Sequence, residues 1–308
     1  MINRVLIRIK VLQVLYAYCQ NGTSNPKTAE NDLLFSLQKS YDLYHYLLWL
    51  IVELTRVYDR ILDNRKHKYR PTEEDLHPNM RLADNRFARQ LEKNEALTAY
   101  VNEYKLTWMD DEDFLKALLD RILASDTYAA YVGNPENTYA VDRAFWRDIF
   151  RHLISDDETM DEYLEDRNIF WNDDVEIVES FVLKTVRHFN EVEGEKQALL
   201  PMFKDVDDRL FAIRLLRQSI DSAPAYRERI DKHVKNWESE RVALMDMLIM
   251  QLAVTELLAF PSIPVNVTLN EYIDMAKYYS TPKSSVFING ILDSVVDELK
   301  GEGLLLKP

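Results

Sequence analysis

Residues 240–260 read ERVALMDMLIMQLAVTELLAF. Leu244, Met245, Leu248, Ile249, Leu252, Ala253, Leu257 and Leu258 leave almost no polar side to this stretch. A helix that is apolar nearly all round is buried on most sides, so this segment predicts the centre of a helical core. Its length is short of a membrane span, and Pro261 and Pro264 stop it.

Helical periodicity extends in both directions from that centre. Residues 206–221 and 225–236 precede it as helices. After it, Thr268-Leu269-Asn270-Glu271 fits a capping box, and Thr281-Pro282 opens a last helix that ends at Gly301. At the other end of the chain, residues 4–20 form one helix closed by Asn21 and Gly22. Residues 28–64 carry a single apolar stripe from Leu33 through Tyr44, Ile51 and Tyr58 to Ile61, which predicts one long helix or two. The run RKHKYR at 65–70 breaks the stripe and Pro71 ends it. Shorter amphipathic segments are expected near 80–93, 95–107, 112–131, 140–155 and 174–190, with turns at Asn134-Pro135 and Glu193-Gly194.

Composition agrees with an all-α chain. Of 308 residues only 6 are glycine, about 2% against an average near 7%. Phosphate-binding turns and β-hairpins both need glycines, so nucleotide-binding α/β folds and all-β folds are disfavoured. Cys19 stands alone, which excludes an intrachain disulfide and a clustered-cysteine zinc site. No apolar run reaches membrane-spanning length, and the basic N-terminus lacks a signal cleavage site. The expected location is cytoplasmic, with no membrane partner.

The net charge of −14 is unevenly placed. Residues 1–29 carry +4 and no acid, and residues 56–93 carry +3. Residues 94–209 carry −16. An acidic whole therefore leaves room for a nucleic-acid site near the N-terminus.

Catalytic signatures are missing. Neither GxxxxGK[ST] nor GxGxxG occurs, and no serine sits in a nucleophile elbow. Glu74 and His77 make one ExxH pair, where a di-iron bundle needs two. The runs Asp110–Asp113 and Asp156–Glu158 read as helix-start acids. The expectation is a chain with no catalytic residues, no metal and no cofactor.

Arg4 and Arg8 are one helical turn apart and share a face, while Lys10 lies about 200° further round. Surface ion pairing explains such a pair as well as phosphate binding does. Arginine also stacks on unpaired bases, which suits single-stranded RNA. The pattern Arg4-x-x-x-Arg8-x-x-x-Leu12-Gln13-x-Leu15-Tyr16 resembles the opening helix of the NusB family of transcription antitermination factors. The segment WESERVALMDMLIMQLAVTELL (237–258), with Trp237, Arg241, Asp246, Ala253 and Glu256, resembles that family's central helix. PVNVTLNEYIDMAK (264–277) and SSVFINGILD (284–293) resemble the two helices that follow.

The resemblance implies an all-α, NusB-like helical bundle of two subdomains. Residues 1–64 would supply N-terminal helices and 205–308 the C-terminal subdomain, with 65–204 a large acidic helical insertion. It implies an RNA-binding adaptor rather than an enzyme. Such a factor pairs with a small-subunit ribosomal protein, NusE, binds boxA-type single-stranded RNA of rRNA operons and joins the RNA polymerase antitermination complex. By position, Arg4, Arg8, Gln13, Tyr16, Lys283, Phe287 and Asn289 are the RNA-contacting candidates, and Asp246 the partner contact. Leu6, Ile7 and Val286 stand where basic residues are common in the family, so the basic motif is thin. Two alternatives are a helical scaffold without RNA binding and an accessory protein of rRNA modification.

Overall fold

A computed structural model describes residues 1–22, 25–234, 242–281 and 283–305. Trp237, Arg241 and Pro282 lie outside the described residues. The fold is all-α. Fifteen α-helices are described: α1 (Arg4–Gln20), α2 (Pro26–Lys66), α3 (Glu73–Leu76), α4 (Arg86–Lys93), α5 (Glu95–Tyr104), α6 (Glu112–Leu123), α7 (Asp126–Gly133), α8 (Tyr139–Ile149), α9 (Glu158–Arg167), α10 (Val175–His188), α11 (Val206–Asp221), α12 (Ala223–Val234), α13 (Leu244–Ala259), α14 (Val265–Tyr279) and α15 (Ser284–Gly301). Among the described residues the only β feature is an isolated parallel bridge between Ile2 and Phe203. None of the described helices is long and apolar enough to cross a membrane.

The chain divides into two units. Unit 2 holds Ile2–Leu37 and Phe203–Pro308, and unit 1 holds Met1 and Gln38–Met202. The division falls inside α2, between Leu37 and Gln38, rather than at the RKHKYR break. The apolar stripe of α2 runs on unbroken past residue 37, so helix and unit boundaries do not coincide there.

In unit 2, α13 is the hub: α1, α11, α12, α14 and α15 all pack on it. Its Leu248, Ile249, Met250, Leu252, Ala253 and Val254 are fully buried, as its apolar circumference predicts. Asn3 caps α1 by accepting from the Leu6 amide at 2.9 Å, and Gly22 takes the left-handed conformation (φ +60) just after its end.

Unit 1 is built on the remainder of α2 with α3–α10. Trp108 Nε1 donates to the Tyr46 carbonyl, Trp171 Nε1 donates to that of Lys39, and Tyr44 shares a 2.7 Å hydrogen bond with Thr185. Each large aromatic thus buries its ring and satisfies its polar tip.

Two sequence expectations need correction. The capping box at Thr268 is not one: α14 already starts at Val265, with Pro264 as its N-cap. Residues 112–131 form two helices, because the Ser125 hydroxyl accepts from the Tyr128 amide and starts α7. The run at Asp156–Glu158 does open a helix, α9, with Asp157 as its N-cap.

Candidate functional site

Every candidate residue belongs to unit 2. On α1 the side chains at 8, 12 and 15 follow helical spacing on the core face, and Arg8 sits in that row beside Leu12 and Leu15. Arg8 is accordingly 3% exposed. Its guanidinium donates through Nε and Nη2 to Glu256 of α13 at 2.8 and 2.9 Å, and through Nη1 to Glu271 of α14 at 3.2 Å. Glu256 is wholly buried and also accepts from Thr268 Oγ1 (2.9 Å) and the Tyr272 hydroxyl (3.1 Å). Burial alone would lower the Arg8 pKa, but the bonds and charge of Glu256 raise it above the ordinary value. Burial, and then Glu256, drive the Tyr272 hydroxyl well upward. The fork that a phosphate would need is therefore occupied inside the bundle. Arg8 clamps α1 to α13 and α14.

Arg4 lies one turn away and is partly exposed. Its Nε donates to Asp208 of α11 at 3.1 Å, and its guanidinium carbon stands 5.0 Å from the Phe211 ring centre. Arg8 lies over the same ring at 5.5 Å. The shared face predicted for the two arginines exists, and Phe211 covers it. Lys10 is 1% exposed. Two of the four cations at the acid-free start of the chain are thus withdrawn from the surface.

The outward row of α1 starts aliphatic and turns polar and aromatic. Val5, Ile9, Gln13, Tyr16 and Gln20 follow three- and four-residue steps. Gln13 and Tyr16 are half-buried, and Gln20 Nε2 donates to the Tyr16 hydroxyl at 3.1 Å. Tyr16 therefore keeps ring surface and a hydroxyl on the outside.

The remaining candidates surround the start of α15. Lys283 is exposed and is the N-cap residue, and the first turn holds no acid. Free amides and the positive end of the helix dipole favour an anion there. Phe287 is half-buried. Asn289 is exposed and donates to Asp293 at 3.2 Å. Asp246, 6% exposed in the first turn of α13, accepts from the hydroxyls of Ser280 and Ser284. Since Ser284 begins α15, Asp246 fixes the turn that carries Lys283.

Sequence reasoning missed Phe211, Asp208 and the Glu256–Glu271–Thr268 cluster. The apolar neighbours of Arg8 at helical spacing were the available signal. Among the described residues no group of three or more metal-ligating side chains is gathered.

A sequence model of the NusB family matches residues 181–297, a range that starts inside α10 and leaves out α1. The chain is 37% identical over 132 residues to the transcription antitermination protein NusB of Salinibacter ruber, covering 41% of this chain and 82% of that protein. It is 38% identical over 122 residues to the NusB protein of Geotalea daltonii (39% and 80%) and 39% identical over 119 residues to that of Chloroherpeton thalassium (38% and 56%). No solved structure matches.

Proposed function

The chain belongs to the NusB family, and from that premise we propose that it is a cytoplasmic transcription antitermination factor that binds boxA-type single-stranded RNA together with the ribosomal protein NusE. The observation that carries this reading is the extent of the likeness: it covers 82% of a protein named for antitermination. The function is one of binding, not catalysis.

Within unit 2, two features support RNA as the ligand. The start of α15 joins an exposed lysine to a helix whose own first turn carries no acid, which suits a phosphate. Tyr16 and Phe287 offer ring surface on which unpaired bases can stack. Gln13 and Asn289 add amide groups able to read base edges. Arg4 takes part from the rim, in exchange with Asp208. NusE completes the complex by docking on unit 2, and the pair acts within the RNA polymerase assembly.

A helical scaffold without RNA binding is the second reading, favoured by the burial of Arg8 and Lys10.

The reading is tested by transcription past a terminator placed downstream of a boxA leader, with NusE and the other elongation factors present. Adding this protein should raise readthrough, and scrambling boxA should abolish the gain. Readthrough that ignores both the protein and the boxA sequence would favour the scaffold.

A further inference from the structure

The run RKHKYR at 65–70 has no part in the site above. It belongs to unit 1, where Arg65 and Lys66 close α2 and His67–Arg70 follow it. All six residues are exposed, and Tyr69 is 95% exposed. The Arg70 guanidinium carbon lies 5.8 Å from the Tyr69 ring centre. Lys68 pairs with Asp75 at 2.9 Å, and His67 lies 3.7 Å from Asp63. Among the described residues, Arg65, Lys66 and Arg70 have no carboxylate at ion-pair distance. Glu73 and Glu74, the other nearby acids, sit in the first turn of α3.

A helix C-terminus explains Arg65 and Lys66 by itself, because cations are favoured there. It does not explain Tyr69 and Arg70, which lie beyond the helix. A tyrosine ring left in water gains nothing from burial. An exposed ring beside an unpaired arginine, with two more unpaired cations at the end of the preceding helix, is the combination that holds single strands: phosphates meet the cations and a base stacks on the ring. Duplex RNA would leave that ring without a base face.

We propose that Arg65, Lys66, Tyr69 and Arg70 form a second site for single-stranded RNA, without sequence preference, on unit 1. The proposal takes its ligand class from the RNA-binding reading of unit 2. Tyr69 stacks on a base, and the three cations hold neighbouring phosphates.

The test uses the full chain and two labelled RNAs, a boxA oligonucleotide and an oligouridine of about 30 nucleotides, long enough for one such site. The variants are Arg65→Glu/Lys66→Glu/Arg70→Glu and Tyr69→Ala. All four side chains are exposed, so circular dichroism should match wild type. The triple variant should bind oligouridine at least about tenfold more weakly, and its log–log salt slope should flatten by about 2, for three lost phosphate contacts. Tyr69→Ala should lose about five- to tenfold. Oligouridine binding that the triple variant retains, or that wild type lacks, would overturn the proposal. An unchanged Tyr69→Ala would overturn the single-strand assignment. If boxA RNA binds no more tightly than oligouridine and both lose their binding in the triple variant, the reading of unit 2 fails and this one stands.

Discussion

Replacing Arg8 by methionine should destabilise unit 2 without first affecting its surface. The substitution removes three hydrogen bonds: two to Glu256 at 2.8 and 2.9 Å and one to Glu271 at 3.2 Å. Glu256 then keeps the hydroxyls of Thr268 and Tyr272 but loses the guanidinium, as a carboxylate with no exposure at all. Breaking a buried ion pair from one side costs about 3–5 kcal/mol, because a charge is left uncompensated. Replacing both partners, as in Arg8→Met/Glu256→Leu, leaves no buried charge at either position and should cost less than the sum by about 2 kcal/mol. Native-state hydrogen exchange on peptides from α13 reads this locally, which matters in a chain of two units. Opening free energies there should fall by several kcal/mol in each single variant and recover in part in the double. A loss below about 1 kcal/mol for Arg8→Met, or strict additivity in the cycle, would refute the clamp.

Further outcomes follow from the same structure. Asp246→Ala removes the acceptor for Ser280 and Ser284 and should cost about 1–3 kcal/mol, seen as faster exchange at the start of α15. Tyr16→Ala should weaken boxA RNA binding by about tenfold at unchanged thermal midpoint, since base stacking is worth on the order of 1–3 kcal/mol. Burial pushes the Glu179 carboxyl up to about 8, with Asp161 adding to the effect, and pushes His45 down to about 4. Between pH 4.5 and 6.5 the folded state holds a proton on Glu179 that the unfolded state has released, and lacks one on His45 that the unfolded state holds. These slopes oppose, so unit 1 should be nearly pH-insensitive there. Above pH 6.5 only the Glu179 contribution remains, and stability should fall by up to about 1.4 kcal/mol per pH unit towards pH 8. Glu179→Gln should flatten that decline, as followed by tryptophan fluorescence of Trp108, Trp146 and Trp171 in urea melts. A decline that persists in the variant would exclude Glu179 as its source.

Much of the fold was legible because the hydrophobic pattern was strong. The circumference of 244–259 announced a central helix, and the stripe through α2 announced a long one. Helix α9 was marked only by its starting acids, because Met160 and Leu164 alone of its ten residues are buried, too few to mark a period. The capping-box error arose because Thr268 and Glu271 have the right spacing for one. Their side chains instead point across the bundle to Glu256 and Arg8, partners distant in sequence. The site was legible in part. Gln13 and Tyr16 fall on the outward row of α1, and Lys283 falls at a helix start. Charge proved the poorer guide. An arginine in an apolar row is drawn inward when a buried glutamate waits for it, and a segment without acids finds its acids on other helices.

The central claim is RNA binding in company with a ribosomal protein, and a fluorescence titration of boxA RNA against this protein tests it most directly, with and without NusE and across a salt series. With Arg8 and Lys10 inside the bundle, about two phosphate contacts remain for unit 2, which gives a log–log salt slope between about −1 and −2 for the lone protein carrying Arg65→Glu/Lys66→Glu/Arg70→Glu. The account predicts that slope, with tighter binding once NusE is present. Absence of boxA binding under both conditions, or binding indifferent to the boxA sequence and to NusE, would contradict it.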